Sequence, residues 1–100
     1  MAGRLDVLWT RRARTRLREI RDRIHEDNPF AARQWVAGVR RSVNLLCELP
    51  LSGRIVPEFG RDSLRERVYG RRYRIIYRVE TSRIVVVTIS HTAQVLPEDL

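Results

Sequence analysis

The chain has 100 residues, of which 43% are hydrophobic and 32% are charged. The length excludes two domains and the apolar content excludes a disordered chain, so we expect one domain over residues 1–100. The 20 basic residues outnumber the 12 acidic ones and give a net charge of +8, which predicts an anionic partner such as nucleic acid or an acidic protein.

All 20 basic residues are arginines. No lysine is therefore available as a general base or for a Schiff base, and any positively charged side chain that binds or stabilises an anion must be an arginine. Nine of the arginines lie in residues 54–83 together with four acidic residues, whereas residues 84–100 contain no arginine. The positive charge of the C-terminal half is thus concentrated before residue 84.

Cys47 is the only cysteine, which excludes an internal disulfide and a cysteine metal cluster and fits the reducing cytoplasm. The first six residues lack the apolar core of a signal peptide, and the apolar runs are too short to span a bilayer. We therefore expect a cytoplasmic protein without membrane contact. His25 is isolated from other metal-type ligands, and the sequence predicts neither a metal site nor a cofactor.

The N-terminal third predicts a strand followed by a helix. In residues 5–9, Leu5, Val7 and Trp9 alternate on one face of a candidate strand. Thr10 is a suitable N-cap for a helix that begins near residue 11. Apolar residues recur in this helix at intervals of three and four and form a narrow stripe of Ala13, Leu17, Ile20 and Ile24.

Asn28 and Pro29 mark the start of a second helix, because asparagine caps helices well and proline is tolerated at the first helical position. This helix is predicted from about residue 29 to about residue 49. Its wider apolar stripe predicts deeper burial and consists of Ala32, Trp35, Val36, Val39, Val43, Leu46 and Leu49. The short connection predicts an antiparallel helical hairpin.

The C-terminal half predicts a loop and three strands. Residues 54–63 contain Pro57 and Gly60 and show no period, so we expect a loop with at most a short extended piece. Residues 64–69 form a candidate strand, and residues 72–79 and 84–91, rich in β-branched and aromatic residues, form a β-hairpin. Residues 92–100 are predicted to leave the sheet as a mobile tail.

This order of elements predicts an α+β fold, β-α-α-β-β-β, with an antiparallel sheet and both helices on one face. Alternation along residues 72–79 directs Tyr73, Ile75 and Tyr77 toward the helices. The opposite face is expected to stay open to a partner and to carry five arginines, Arg65, Arg67, Arg72, Arg74 and Arg78.

Several short segments form a series along the chain. They are Trp9-Thr10 followed by Ala13, Leu17 and Ile20; Asn28-Pro29-Phe30-Ala31-Ala32; Leu49-Pro50 with Gly53-Arg54; Leu64-Arg65; the run from Tyr73 to Val79; and Ile89-Ser90-His91. In order and spacing, this series resembles the RelE/ParE superfamily of toxins from bacterial type II toxin–antitoxin modules. The resemblance spans residues 9–91 and implies the RelE/ParE-like fold.

The long helical hairpin and the Leu49-Pro50 junction resemble the ParE-like branch, whose members are associated with poisoning DNA gyrase. The resemblance implies a toxin that binds gyrase directly, causes growth arrest, contributes to plasmid stabilization and forms a hetero-oligomer with a cognate antitoxin. The RelE-like branch instead cleaves messenger RNA on the ribosome. The sequence departs from that branch because it lacks lysine and has no tyrosine after His91.

Three residues match a catalytic set that is attributed to some ribonucleases of the superfamily. Glu58, Arg74 and His91 resemble the Glu, Arg and His of that set. In that reading Glu58 activates the ribose 2′-hydroxyl and His91 protonates the leaving oxygen. Arg74 then stabilises the charge that develops on phosphorus.

Strand alternation supports a different interpretation of His91. It groups His91 with the residues that look like the core face of the last strand, Val85, Val87 and Ile89. His91 is then a strand-end histidine bonded to the backbone. For Arg74 the alternative is an ion-paired arginine of the sheet, with Glu66 or Glu80 as its partner. Two other arginines share its face, which favours a functional role for Arg74 in binding or catalysis.

Three functions therefore stay open. The first is a gyrase-binding toxin that is not an enzyme, in which Arg65, Arg67, Arg72 and Arg78 bind a partner. The second is a ribosome-dependent endoribonuclease that uses Arg74, His91 and Glu58. The third is a member of the superfamily that has lost toxicity and persists as a binding module.

Overall fold

The computed structural model describes residues 4–100. Residues 1–3 lie outside this range, and with them part of the N-terminal segment in which we expect no signal peptide. The elements in chain order are β1 (Asp6–Trp9), α1 (Arg11–Asp27), α2 (Pro29–Glu48), β2 (Arg54–Ile55), β3 (Leu64–Tyr69), β4 (Tyr73–Val79) and β5 (Arg83–His91). Within the described range, no helix has the length and apolar character needed to cross a membrane.

Both helices begin at the capping residues that the sequence predicts. The Thr10 hydroxyl accepts a hydrogen bond from the Ala13 N–H at 3.0 Å. The Asn28 side chain accepts one from the Ala31 N–H, also at 3.0 Å. These bonds satisfy N–H groups that lack a partner in the first helical turn. Asn28 also closes α1, because its backbone N–H donates to the Ile24 carbonyl, so a single residue joins the two helices.

The strands form one sheet in the order β1-β5-β4-β3-β2. The α+β fold with both helices on one face is confirmed, but the prediction of a fully antiparallel sheet is wrong for β1, which runs parallel to β5. The helical hairpin carries the chain from β1 at one edge of the sheet to β2 at the other edge. β2 has only two residues and lies where the sequence predicts a loop with a short extended piece.

The larger core lies between the helices and one side of the sheet, which we call the helix face. The helices contribute Ala13, Leu17, Ile20, Trp35, Val39, Val43, Leu46 and Cys47 to it, and the strands contribute Ile75, Tyr77, Ile84, Val86 and Ile89. The apolar stripes of both helices therefore point where their periodicity predicts. Leu49 is the exception, because α2 ends at Glu48 and the Leu49 side chain is 54% exposed.

Tyr77 ties the end of α2 to the centre of the sheet. Its ring is fully buried, and its hydroxyl donates to the Pro50 carbonyl at 2.7 Å and accepts from the Gly53 N–H at 3.0 Å. A Cβ atom at position 53 would lie 2.5 Å from both the Glu66 carbonyl oxygen and the Tyr77 hydroxyl. Only glycine fits this close approach.

The opposite side of the sheet, which we call the second face, is partly covered rather than open. A second apolar cluster is centred there and consists of Val56, Leu64, Ile76, Val85, Val87 and Leu96. Val56 comes from the connection between β2 and β3, and Leu96 comes from the segment after β5. The sequence predicts an exposed face because it assigns neither of these connecting segments to a core.

A β-bulge changes the side-chain pattern of β5. The register advances from Ile76 paired with Thr88 to Tyr77 paired with Val86, which leaves Val87 as an additional residue. Val85 and Val87 consequently pack in the second cluster, whereas Ile89 packs against the helices. The expectation that these three residues share one face is therefore wrong.

The segment after β5 leaves the sheet as predicted but folds back against the protein. Leu96 is buried in the second cluster, and Leu100 packs against it. The Asp99 carboxylate accepts two hydrogen bonds from the Arg12 guanidinium, at 3.0 and 3.2 Å. The segment thus connects α1 to the second face, and its mobility stays a prediction.

Replacement of Tyr77 with phenylalanine is expected to lower the free energy of unfolding by about 2 kcal/mol. The change removes two hydrogen bonds and leaves the buried Gly53 N–H without a partner. Urea unfolding followed by circular dichroism measures the effect. Tyr69→Phe is the control, because Tyr69 is only half-buried and its hydroxyl takes part in none of the hydrogen bonds within residues 4–100; equal losses in the two variants would contradict the role of Tyr77.

Candidate functional site

Arg74 occupies the middle of a buried ion-pair network on the second face. The residue is only 7% exposed. Its Nη1 and Nη2 atoms donate to the two carboxylate oxygens of Glu58 at 2.7 and 2.8 Å. Its Nε atom donates to Glu66 Oε1 at 2.7 Å. Both edges of the guanidinium group are therefore occupied by carboxylates.

Strand pairing brings these charges together. Glu66 on β3 faces Ile76 on β4, and Arg74 is the diagonal neighbour of Glu66 on the same face. Arg54 on β2 approaches from the other side, where its Nε atom donates to Glu66 Oε2 at 2.6 Å. Glu66 is 1% exposed, so two arginines compensate a carboxylate that has almost no contact with water.

The network also sets the charge states of Glu58 and Arg74. Hydrogen bonds from Arg74 lower the pKa of Glu58 from 4.5 to about 2. The same hydrogen bonds raise the pKa of Arg74 above its ordinary value. Glu58 is therefore a carboxylate at neutral pH and a weaker base than an unpaired glutamate.

His91 lies on the other side of the sheet from Arg74. It pairs in register with Tyr73, whereas Ser90 pairs with Arg74. The imidazole packs edge to face on the Tyr73 ring, with centroids 5.5 Å apart, and its Nδ1 accepts a hydrogen bond from the Ala93 N–H at 3.1 Å. His91 is thus a strand-end histidine bonded to the backbone.

The five arginines of the predicted open face do not share one face. Arg65 and Arg67 pair with Tyr77 and Ile75, which point toward the helices, so their assignment to the second face is wrong. The reason is the register of β3. Leu64 packs in the second apolar cluster, so by alternation the next residue, Arg65, points to the helix face. Arg65 donates to the backbone oxygens of residues 53 and 62.

The two remaining arginines are accessible. Arg72 is exposed in the turn between β3 and β4, and Arg78 forms an ion pair with Glu80 at 3.0 Å. Sequence patterns predict Glu66 as a partner of Arg74, but they do not predict Arg54 as a partner of Glu66 because they place Arg54 in a loop. The pairing of β2 with β3 could not be predicted, since two residues are too few to show a strand pattern.

The arrangement is poorly suited to metal-independent cleavage of RNA. That reaction needs a base, an acid and a cation around one phosphate. Glu58 and Arg74 are together, but they bind each other, and His91 is on the other side of the sheet. Among residues 4–100, no three His, Cys, Asp or Glu side chains are grouped so that they could hold a metal ion.

Comparison with known proteins gives a consistent result. The family model described as "ParE toxin of type II toxin-antitoxin system, parDE" matches residues 7–96. "Putative toxin Y4kP" of Sinorhizobium fredii is 38% identical over 100 residues, which covers 98% of this chain and 99% of the relative. "Toxin RelE2" of Caulobacter vibrioides is 34% identical over 88 residues, which covers 88% of this chain and 96% of the relative.

A solved structure shares the fold. A chain of the "Chromosomal ParDE TA system from P. aeruginosa" superposes with a TM-score of 0.74, covering 90% of this chain and 98% of the other. The sequence identity is 22%, so this likeness concerns the architecture alone.

Replacement of Arg74 with alanine is expected to lower the free energy of unfolding by about 3 kcal/mol, because it removes one of two cations that compensate the buried Glu66. Arg78→Ala, on the same strand and face, removes an exposed pair and is expected to cost less than about 1 kcal/mol. Chemical denaturation of both variants measures the difference. Similar values for the two would show that burial does not strengthen the Arg74 network.

Stability is expected to fall as the pH decreases from about 4.5 toward 2. Because the pKa of Glu58 is lower in the folded state, its contribution is present above the unfolded pKa and is lost as the carboxylate protonates. The side chain is 44% exposed, so solvent screening limits this contribution to about 1 kcal/mol. Thermal unfolding at several pH values should show a shallower decline for Glu58→Gln than for Glu98→Gln; identical declines would exclude Glu58 as the cause.

Proposed function

This chain belongs to the family of ParE toxins of type II toxin–antitoxin systems, and we propose that it causes growth arrest by binding DNA gyrase directly. The observation that carries the proposal against the ribonuclease is the state of Arg74. Its guanidinium group is buried and fully engaged with two carboxylates of its own chain. A toxin that acts by binding does not need this group to contact a substrate.

Accessible positive charge on the sheet occurs at the tip of the β3–β4 hairpin. Arg71 and Arg72 are exposed there, and neither forms a salt bridge with any residue between 4 and 100. Gly70 and Arg71 have φ angles of 62° and 67°, a left-handed conformation that is unfavourable for arginine by about 1 kcal/mol. This backbone conformation holds the turn in a tight shape at the end of two paired strands.

Arg67, half-buried on β3, extends this positive surface, and no acidic residue occurs between positions 67 and 79. We define Arg67, Arg71 and Arg72 as the tip cluster. Among the predicted binding residues, Arg67 and Arg72 are thus the two that we assign to the target contact. Arg65 bonds to the backbone and Arg78 to Glu80, so we expect smaller contributions from them.

A DNA supercoiling assay with purified gyrase, run beside a cell-free translation assay, tests the proposal. We expect inhibition of supercoiling without inhibition of translation, and expression in cells without an antitoxin should arrest growth and induce the DNA-damage response. Normal growth at good expression would favour the non-toxic binding module. Inhibition of translation alone would exclude gyrase as the target.

The tip cluster gives a sharper prediction. Arg67→Glu combined with Arg72→Glu is expected to raise the concentration of toxin needed for half-inhibition about tenfold or more, because like charges then replace complementary ones. Arg11→Glu combined with Arg23→Glu makes the same change of charge on α1 and should alter it less than about threefold. Equal effects would mean that net charge, rather than the tip cluster, determines inhibition.

The ribonuclease stays the second candidate because Glu58 is half-exposed beside Arg74 and because one relative is named RelE2. Primer extension on ribosome-bound messenger RNA would show cuts positioned by codons if the chain cleaves RNA. Cuts that disappear in both Glu58→Gln and His91→Ala would support the catalytic set. Absence of cuts with the unmodified protein would remove this candidate.

A further inference from the structure

Three leucines where α2 ends and the chain turns toward β2 are exposed although they are large and apolar. Leu45, Leu49 and Leu51 are 37%, 54% and 64% exposed. The Leu49 N–H donates to the Leu45 carbonyl at 2.9 Å, so the two residues lie on adjacent turns of one side of the helix. We call these three residues the leucine patch. Neither the tip cluster nor the ion-pair network includes any of them.

The connection that carries Leu51 is fixed by hydrogen bonds on both sides of this residue. The Tyr77 hydroxyl donates to the Pro50 carbonyl before it and accepts from the Gly53 N–H after it. From β3, Arg65 Nη1 donates to the Gly53 carbonyl at 2.9 Å. Leu51 is therefore presented outward by an ordered backbone, which lowers the entropy that a partner must remove on binding.

Arginines border the leucine patch. Arg41 is exposed and precedes Leu45 by four residues, which is one helical turn. Arg65 approaches the Leu51 carbonyl with its Nη1 atom at 3.5 Å. Arg67 lies two residues further along β3 on the same face as Arg65. Exposed apolar groups and guanidinium groups thus alternate on the side of the molecule formed by α2 and β3.

These charges restrict the kind of partner. The acidic residue next to the patch in the sequence, Glu48, pairs with Arg4 at 3.7 Å. A second copy of the chain would bring the same arginines and a net charge of +8 to the contact, which repulsion between like charges disfavours. The patch is suited instead to a protein surface on which apolar side chains are flanked by carboxylates.

The leucine patch and the tip cluster belong to one continuous surface, because Arg67 is a member of the tip cluster and borders the patch. Strand β3 runs close beside α2 over this distance, and neither Gly38 near Tyr69 nor Gly53 leaves room for a Cβ atom. The four residues from Arg65 to Tyr69 span about 13 Å. One protein interface of standard size can therefore cover both the patch and the cluster.

We propose that the leucine patch is the apolar anchor of the contact between this toxin and its cellular target, which is DNA gyrase in the proposed function. The tip cluster supplies accessible charge to that contact, and the leucine patch supplies apolar area that is removed from water. The inference rests on the proposed function and deepens it. It adds a second contact region and states that the target surface there combines apolar side chains with carboxylates.

The gyrase supercoiling assay measures the contribution of the leucine patch. Leu49→Ala combined with Leu51→Ala should raise the concentration of toxin needed for half-inhibition about tenfold. The matched control, Phe30→Ala combined with Val95→Ala, truncates exposed apolar side chains elsewhere and should change it less than about threefold. Circular dichroism checks that both double variants fold. No effect of the first double variant, or equal effects of the two, would overturn the proposal.

A second substitution separates apolar contact from charge. Leu49→Arg combined with Leu51→Arg removes apolar area but adds positive charge beside an acidic partner. If the leucines anchor the contact, the concentration for half-inhibition should still rise about tenfold. Stronger inhibition than that of the unmodified protein would show that charge alone determines binding at this surface and would overturn the proposal.

Two measurements test other occupants of the patch. Analytical ultracentrifugation of the unmodified chain should show no dimer that Leu49→Ala combined with Leu51→Ala dissociates; such a dimer would assign the patch to a second copy. The cognate antitoxin should copurify equally with both double alanine variants. Loss of copurification in the leucine variant alone would assign the patch to the antitoxin. Either result would overturn the proposal.

Growth arrest in cells distinguishes failure of this inference from failure of the proposed function. If the unmodified protein arrests growth without inhibiting supercoiling, gyrase is not its target and the proposed function fails. Arrest that is lost in the leucine variant but kept in the control would then support the anchor, and equal arrest in both would overturn it. A protein that neither arrests growth nor inhibits supercoiling would contradict both proposals.

Discussion

The buried carboxylate of Glu66 is the constraint on which the second face of the sheet depends. A carboxylate removed from water is costly unless cations compensate it, and here Arg54 and Arg74 approach it from the two neighbouring strands. Arg74 in turn binds Glu58, which holds the connection between β2 and β3 against the sheet. That connection delivers Val56 to the second apolar cluster. One buried charge thus fixes the positions of three strands and a loop.

This network limits the chemistry available to the protein. An arginine in the middle of an open sheet face could stabilise a phosphate, but Arg74 has donated its hydrogen bonds to carboxylates of its own chain. To use it in catalysis, the protein would have to break its salt bridges and remove one of the two cations that compensate Glu66. The exposed arginines at the tip of the β3–β4 hairpin are suited to recognition of a charged surface.

The positive charge of the chain is divided among surfaces with different physical character. At the tip of the β3–β4 hairpin, exposed arginines extend from a tight turn with few apolar neighbours. Between α1 and α2, arginines surround a concave apolar surface. The first surface suits contact with an acidic face of a folded target.

The sequence by itself determined the elements that depend on local interactions. The caps at Thr10 and Asn28 begin the helices where expected, and the apolar stripes of α1 and α2 identify their buried sides. Alternation along β4 correctly places Arg74 and Tyr77 on opposite faces of the sheet.

The register between strands was decided only by the tertiary structure. Alternation within a strand shows which residues point to opposite faces, but it does not show what packs against each face. The register of β3 turned Arg65 and Arg67 toward the helices. The bulge at Val87 divided the apolar residues of β5 between two clusters. Burial of Glu66 between paired strands, which no local pattern reveals, places Arg74 in an ion-pair network with Glu58 and Glu66.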